Sequence, residues 1–158
     1  MTGAVSELRA RIRRTRSGDL EVRLPPVERA VVRSVPGHLR AALEANDPAA
    51  RRLSPPAHDD PGREAEYREL VGSQLEEGRR RNIELMEATA EATRLDEEQA
   101  LAWLAVLNDL RLVLGERLGI TEETAEREVP DDDPQAAALA TFHYLGWLVS
   151  QLIDALGG

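Results

Sequence analysis

The 158-residue chain contains no cysteine, which excludes a disulfide, a thiolate nucleophile, a cysteine-based zinc site, an iron–sulfur cluster and thiol redox sensing. Lysine is absent as well, so all 20 basic residues are arginines, permanently charged fork-shaped donors. This bias reads as the mark of a GC-rich genome rather than of recognition chemistry. Aromatic residues make up only 3% of the chain, so Leu, Val, Ile and Ala must fill most of any core. No signal-peptide pattern opens the chain and no apolar run of membrane-spanning length stands out, so a cytoplasmic, non-membrane protein is expected. No Gly-x-Gly-x-x-Gly, Walker or Gly-x-Ser-x-Gly motif is present, which leaves nucleotide-dependent and nucleophilic catalysis without a foothold.

Hydrophobic residues at 42% and charged residues at 31% suit one globular domain spanning 1–158. The net charge of -9 is unevenly spread: the first 52 residues hold 11 Arg against 6 acids, and the remainder 9 Arg against 23 acids. The pattern predicts a mainly α fold, a bundle of about four helices preceded by a short N-terminal β-hairpin within a basic segment, 1–24. Arg11–Thr15 and the alternating Leu20–Leu24 form its arms around a Ser17-Gly18-Asp19 turn.

Pro25-Pro26 opens a helix over 25–45 with Val27, Val31, Val35, Leu39 and Leu43 as its apolar stripe, kinked or broken at Pro36-Gly37. Residues 46–61 read as loop. A long helix over 62–93 places Tyr67, Leu70, Val71, Leu75, Ile83, Met86 and Ala90 near one face, with a polar middle at Glu76, Glu77 and Arg79–Arg81. Asp96 with Gln99 reads as a capping box, with Leu95 and Ala100 as its staple. The helix it opens, 97–118, would be about 33 Å long and has almost no polar face, so it belongs in the middle of the bundle. Gly119 followed by Ile120 fits a left-handed cap. Thr121-Glu122-Glu123 starts a short turn ending before Pro130, and Asp133-Pro134 opens the last helix, 134–156, with Ala138, Phe142, Leu145, Val149, Leu152 and Leu156 on its apolar side.

Few residues announce chemistry. His38, His58 and His143 stand far apart and match no helical metal pattern, and Asp131, Asp132 and Asp133 read as loop and cap. No catalytic residue, metal site or cofactor is therefore expected. Arg9, Arg11, Arg13, Arg14 and Arg16 form a basic arm, read either as a charged edge strand that resists aggregation or as a contact with nucleic acid. The acidic remainder and the lack of a basic recognition helix weigh against DNA. Asn108, Asp109 and Arg111 interrupt the apolar third helix. They read as an internal polar network with His143 and Tyr144, or else as a partner-binding patch. Leu145, Trp147 and Leu148 leave apolar surface for a symmetric homodimer.

The run from Leu101 to Ile120, with Leu107-Asn108-Asp109-Leu110-Arg111-Leu112 and Leu118-Gly119-Ile120, resembles the actinobacterial oxidative-stress regulators (AosR-like proteins). So does Pro130–Leu148, with Asp131-Asp132-Asp133-Pro134 and Phe142-His143-Tyr144-Leu145-Gly146-Trp147. Arg13–Glu28 and Tyr67–Asn82 agree more loosely. That family was long catalogued only as a domain of unknown function. The resemblance implies a non-enzymatic, transcription-associated regulator that contacts a sigma factor or RNA polymerase. The family's genes lie beside those for the ClpS adaptor and for cysteine synthesis, which gives the alternative of a helical adaptor or scaffold for that machinery. Its redox sensing is attributed to a closely spaced cysteine pair, which this sequence lacks; beyond the initiator, only Met86 is open to methionine oxidation.

Overall fold

A computed structural model of the chain describes residues 10–53, 60–121, 123–124 and 129–157. The readings made for Arg9, His58 and Glu122, and for the side chain of Leu70, lie outside the described residues. The fold is mainly helical with a short antiparallel hairpin, β1 (Ile12–Arg14) and β2 (Leu20–Val22), joined at Gly18, whose φ of +95° suits glycine. Alternation sends Ile12, Leu20 and Val22 inward, where all three are buried.

Helix α1 (Pro26–Glu44) begins on consecutive prolines, whose missing amide costs nothing in a first turn. Of the kink or break expected at Pro36-Gly37, the break does not occur: the helix continues through Pro36, which is buried with Val32, Val35, Leu39 and Ala42 on the core side. The expected stripe is thus corrected. Val35 and Leu39 are buried and half-buried Leu43 packs against the core, but Val27 is 78% exposed and Val31 is half-buried, because a step of four drifts off the 3.6-residue period. Asn46, with φ of +51°, then reverses the chain.

The stretch 46–61, expected to be loop, contains a 3₁₀-helix, Pro48–Leu53. Asp47 Oδ1 accepts the Ala49 amide at 2.8 Å and its other oxygen receives Arg117 Nη2 at 2.6 Å, so one carboxylate caps the turn and ties it to the third long helix. Asp47-Pro48 is the same start signal as Asp133-Pro134 and was available in the sequence. Helix α2 (Pro61–Thr89) follows, capped by Asp60, whose carboxylate accepts the Gly62 amide. It stops four residues short of the expected end. Arg94–Leu95 instead forms a third strand, β3, against β2, giving the order β1-β2-β3.

The capping box at Asp96 closes as the sequence indicates: its carboxylate accepts the Gln99 amide at 2.8 Å, and Gln99 Oε1 accepts the Asp96 amide at 2.9 Å. Helix α3 (Glu97–Leu118) lies at the centre, touching α1, α2, the 3₁₀-helix, β3 and the last helix, and ends on left-handed Gly119 with Ile120 donating to Gly115 O. Trp103, Val106, Leu107, Leu110 and Val113 are buried along it. Trp103 Nε1 donates to Thr89 Oγ1 at 2.8 Å, and Thr89 Oγ1 donates to Leu85 O.

Helix α4 (Ala136–Gly157) starts two residues later than expected, after a turn in which Asp133 accepts the Gln135 amide. By length and composition, with a mean hydropathy of 1.3, it could cross a membrane; Phe142, Leu145, Leu148, Leu152 and Ala155 pack it into the core. The α3–α4 interface interlocks through two glycines. The Phe142 ring fills the space beside Gly115, where a Cβ would lie 3.1 Å from it, and Arg111 fills that beside Gly146, where a Cβ would lie 3.0 Å from its Nε.

Neither α2 nor α4 carries a basic residue in its last turn. Arginines from elsewhere meet their free carbonyls: Arg29 donates to Ala90 O and Ala92 O, and Arg14 donates to Ala155 O and Leu156 O.

Candidate interaction surfaces

The five residues expected to form one polar network lie in three separate settings. Asp109 faces α2, where Arg79 Nε is 3.4 Å away and Arg79 also donates to Leu53 O at 3.2 Å. Burial raises the Asp109 carboxyl above the ordinary aspartate range, and the nearby Arg79 opposes this only in part. Arg111 does meet the last helix, but through a ring: its guanidinium lies 4.9 Å from the Phe142 centroid, and its Nε is buried without a hydrogen-bond partner among the described residues. Asn108 is half-buried, and His143 is exposed, its ring in edge contact with Phe142. Residues adjacent in sequence project about 100° apart around a helix, so Asn108, Asp109 and Arg111 meet different neighbours.

Tyr144 belongs to a third setting. Its hydroxyl donates to Glu28 Oε1 at 3.0 Å, and Glu28 also receives Arg11 Nε at 3.1 Å. Burial, then the carboxylate, raises the Tyr144 phenol well above its usual range. The Arg11 guanidinium lies 5.9 Å from the Trp147 ring, and the Arg11 amide donates to Gln151 Oε1. This cluster joins the residue before β1 to α1 and α4. The expected homodimer surface is accordingly corrected: Leu145 and Leu148 are fully buried, and half-buried Trp147 lies beneath Arg11 and beside Tyr144.

The basic arm divides in the same way. Half-buried Arg11 is held by Glu28, and Arg14, although exposed, is spent on the carbonyls at the end of α4, while Arg13 and Arg16 are exposed without such a role. Strand β3 adds a residue the sequence reading missed. Its pairing puts Arg94 beside Glu21, and Glu21 in turn beside Arg13, in one cross-strand row on the outer face of the sheet. Arg13, Arg14, Thr15, Arg16, Ser17, Glu21 and Arg94 line an open concavity of about 650 Å³ there. Glu21 pairs with Arg23 and lies 3.7 Å from Arg13; the hydrogen bond from Arg23 does most to hold its carboxyl below the usual range.

A second concavity, of about 670 Å³, lies between the end of α1, the 3₁₀-helix and the middle of α2. Its apolar floor is Leu43, Ala50 and Ile83, and Arg40, Glu44, Arg51, Glu76 and Arg80 stand around it. Most of the charges here are already matched: Arg40 holds Glu87 in a bidentate pair at 2.7 Å, Arg80 pairs with Glu77, Arg79 with Asp109, and Asp47 with Arg117. No linear motif could reveal this groove, because its walls come from three elements that only the tertiary fold brings together. Among the described residues no group of three or more His, Asp or Glu is placed to hold a metal ion; His38 is exposed.

The model of one protein family, described as Domain of unknown function (DUF2017), matches residues 9–156. No curated protein matches the chain, and no solved structure matches it.

Proposed function

The chain belongs to the family described as Domain of unknown function (DUF2017), and from that premise we propose a non-enzymatic regulatory protein of the cytoplasm that acts by protein–protein contact. The carrying observation is the groove between α1, the 3₁₀-helix and α2. Its floor of Leu43, Ala50 and Ile83 is apolar, while Arg40, Asp47, Arg79 and Arg80 around it are held in ion pairs within the chain. A small charged ligand would have to displace those pairs; an amphipathic helix laid on the floor keeps them and meets a polar rim.

The likeness of Leu101–Ile120 and Pro130–Leu148 to the actinobacterial oxidative-stress regulators supports a sigma factor or RNA polymerase as the protein that supplies this helix. Those segments map to α3 and to the start of α4, and many of their residues are buried, so the likeness speaks for a shared scaffold more than for a shared contact surface. The chain has no cysteine, so its regulation does not run through a disulfide.

A photo-cross-linking residue at Ala50, in stressed cells at native expression, tests the reading. It is expected to capture a sigma factor or polymerase subunit, and Leu43→Glu is expected to abolish the capture while circular dichroism stays unchanged. Capture of ClpS or a cysteine-synthesis protein instead would replace this reading with the adaptor alternative. Recovery of none of them would remove it.

A further inference from the structure

We propose that the outer face of the three-stranded sheet is a phosphate-binding site, separate from the groove and independent of it. The site rests on the cross-strand row Arg13, Glu21, Arg94 and on Arg16, Thr15 and Ser17 at the adjoining turn, which together line the concavity of about 650 Å³.

Four arginines and a single carboxylate line this concavity, in a protein whose net charge is -9. Arg14 is set aside, because it caps the carbonyls at the end of α4. Glu21 is shared between Arg23 and Arg13, and Arg16 makes no ion pair among the described residues. Two guanidiniums flanking one already shared carboxylate, with a third nearby, leave a cationic excess that an oxyanion would neutralise.

At the lip of the concavity Thr15 Oγ1 donates to Asp19 O at 2.9 Å and Ser17 Oγ lies 2.9 Å from Thr15 Oγ1, so both hydroxyl protons are spent in holding the turn and the guanidinium forks supply the donors. A tetrahedral phosphoryl dianion offers more acceptor oxygens than a carboxylate, and can therefore meet several forks at once. A long polyanion is disfavoured, because the chain beyond residue 52 holds 23 acids against 9 Arg and repels it at a distance; a small dianion bound at short range is affected much less. Edge protection accounts for charge on β1 and on β3 alike, but it does not require Arg13, Arg16 and Arg94 to line one concavity, as they do here.

The test is calorimetric titration of the full chain with pyrophosphate at constant ionic strength, set by chloride. Saturable binding is expected. Arg94→Ala and Arg13→Ala should each weaken it on the order of tenfold, while Glu21→Gln should tighten it, since the carboxylate competes for the same guanidiniums. All three side chains lie on the outer face, and circular dichroism checks that the variants fold. A phosphoserine peptide that binds more tightly than pyrophosphate, through the same two arginines, would support the site and identify a protein side chain as the source of the phosphate. Absence of pyrophosphate binding at millimolar concentration would overturn the proposal. So would weaker binding by Glu21→Gln, or binding of duplex DNA that pyrophosphate does not displace.

Discussion

Thr89→Val isolates one hydrogen bond at the centre of the protein. Trp103 is fully buried and Thr89 nearly so, and the indole Nε1 donates to Thr89 Oγ1 at 2.8 Å. Valine keeps the shape of threonine but offers no acceptor, leaving the indole N–H buried and unpaired at a cost of roughly 1–3 kcal/mol. Little else is disturbed, because the bond from Thr89 Oγ1 to Leu85 O is an extra one for a carbonyl within a continuous helix. At a urea dependence of ~2 kcal/mol per molar, that loss should lower the unfolding midpoint by ~0.5–1.5 M with the slope unchanged. Thr89→Ser keeps the acceptor and should recover most of the loss. Trp103→Phe is costly by itself because it opens a cavity, but in its background Thr89→Val should become nearly neutral. A midpoint that does not move in Thr89→Val, or a shift of equal size with and without the indole, would show that this bond does not hold α2 to α3.

Asp96→Ala removes the carboxylate that caps α3 and should destabilise the protein by about 0.5–2 kcal/mol, read from the thermal midpoint; Asp96→Asn should restore most of it. Asp109 gives a pH dependence. Burial raises its carboxyl above the unfolded value, so its contribution to stability is present at low pH and is lost as pH rises from about 4 through the folded value. Asp109→Asn removes that loss, so the variant should gain on the parent between pH 4 and pH 7 in paired urea titrations. A variant that instead loses ground as pH rises would mean that the Arg79 pair outweighs burial.

Local signals were the most legible part of the fold. The Asp96 and Gln99 box, the left-handed Gly119 and the Gly18 turn each follow from the chemistry of one or two residues, and each is found where the sequence places it. The centrality of α3 was legible too, since a helix apolar on nearly every side can be satisfied only by neighbours on nearly every side. The 3₁₀-helix is hidden in the sequence although Asp47-Pro48 signals its start, because the prolines around it give the stretch loop composition. Strand β3 gave no such warning: two residues carry no periodicity, and Arg94–Leu95 is a strand only because β2 lies beside it.

The surfaces were far less legible. Grouping Asn108, Asp109, Arg111, His143 and Tyr144 as one network treated adjacency in sequence as adjacency in space, whereas the helical twist sends Asp109 to Arg79, Arg111 to Phe142 and Tyr144 to Glu28. Strand alternation puts Arg11 and Arg13 on one face but cannot tell that Arg11 is taken up by an ion pair with Glu28 and Arg14 by the end of α4.

By itself the sequence determined the helical class, the hairpin, the caps and the exclusion of thiol chemistry, because these depend on composition, period and neighbours a few residues apart. Only the tertiary structure decided which arginines remain available, that Arg94 joins Arg13 across the sheet, and that a groove opens between α1, the 3₁₀-helix and α2. Those outcomes depend on charges and surfaces far apart in the chain competing for the same partners, and that competition is settled only when the elements pack.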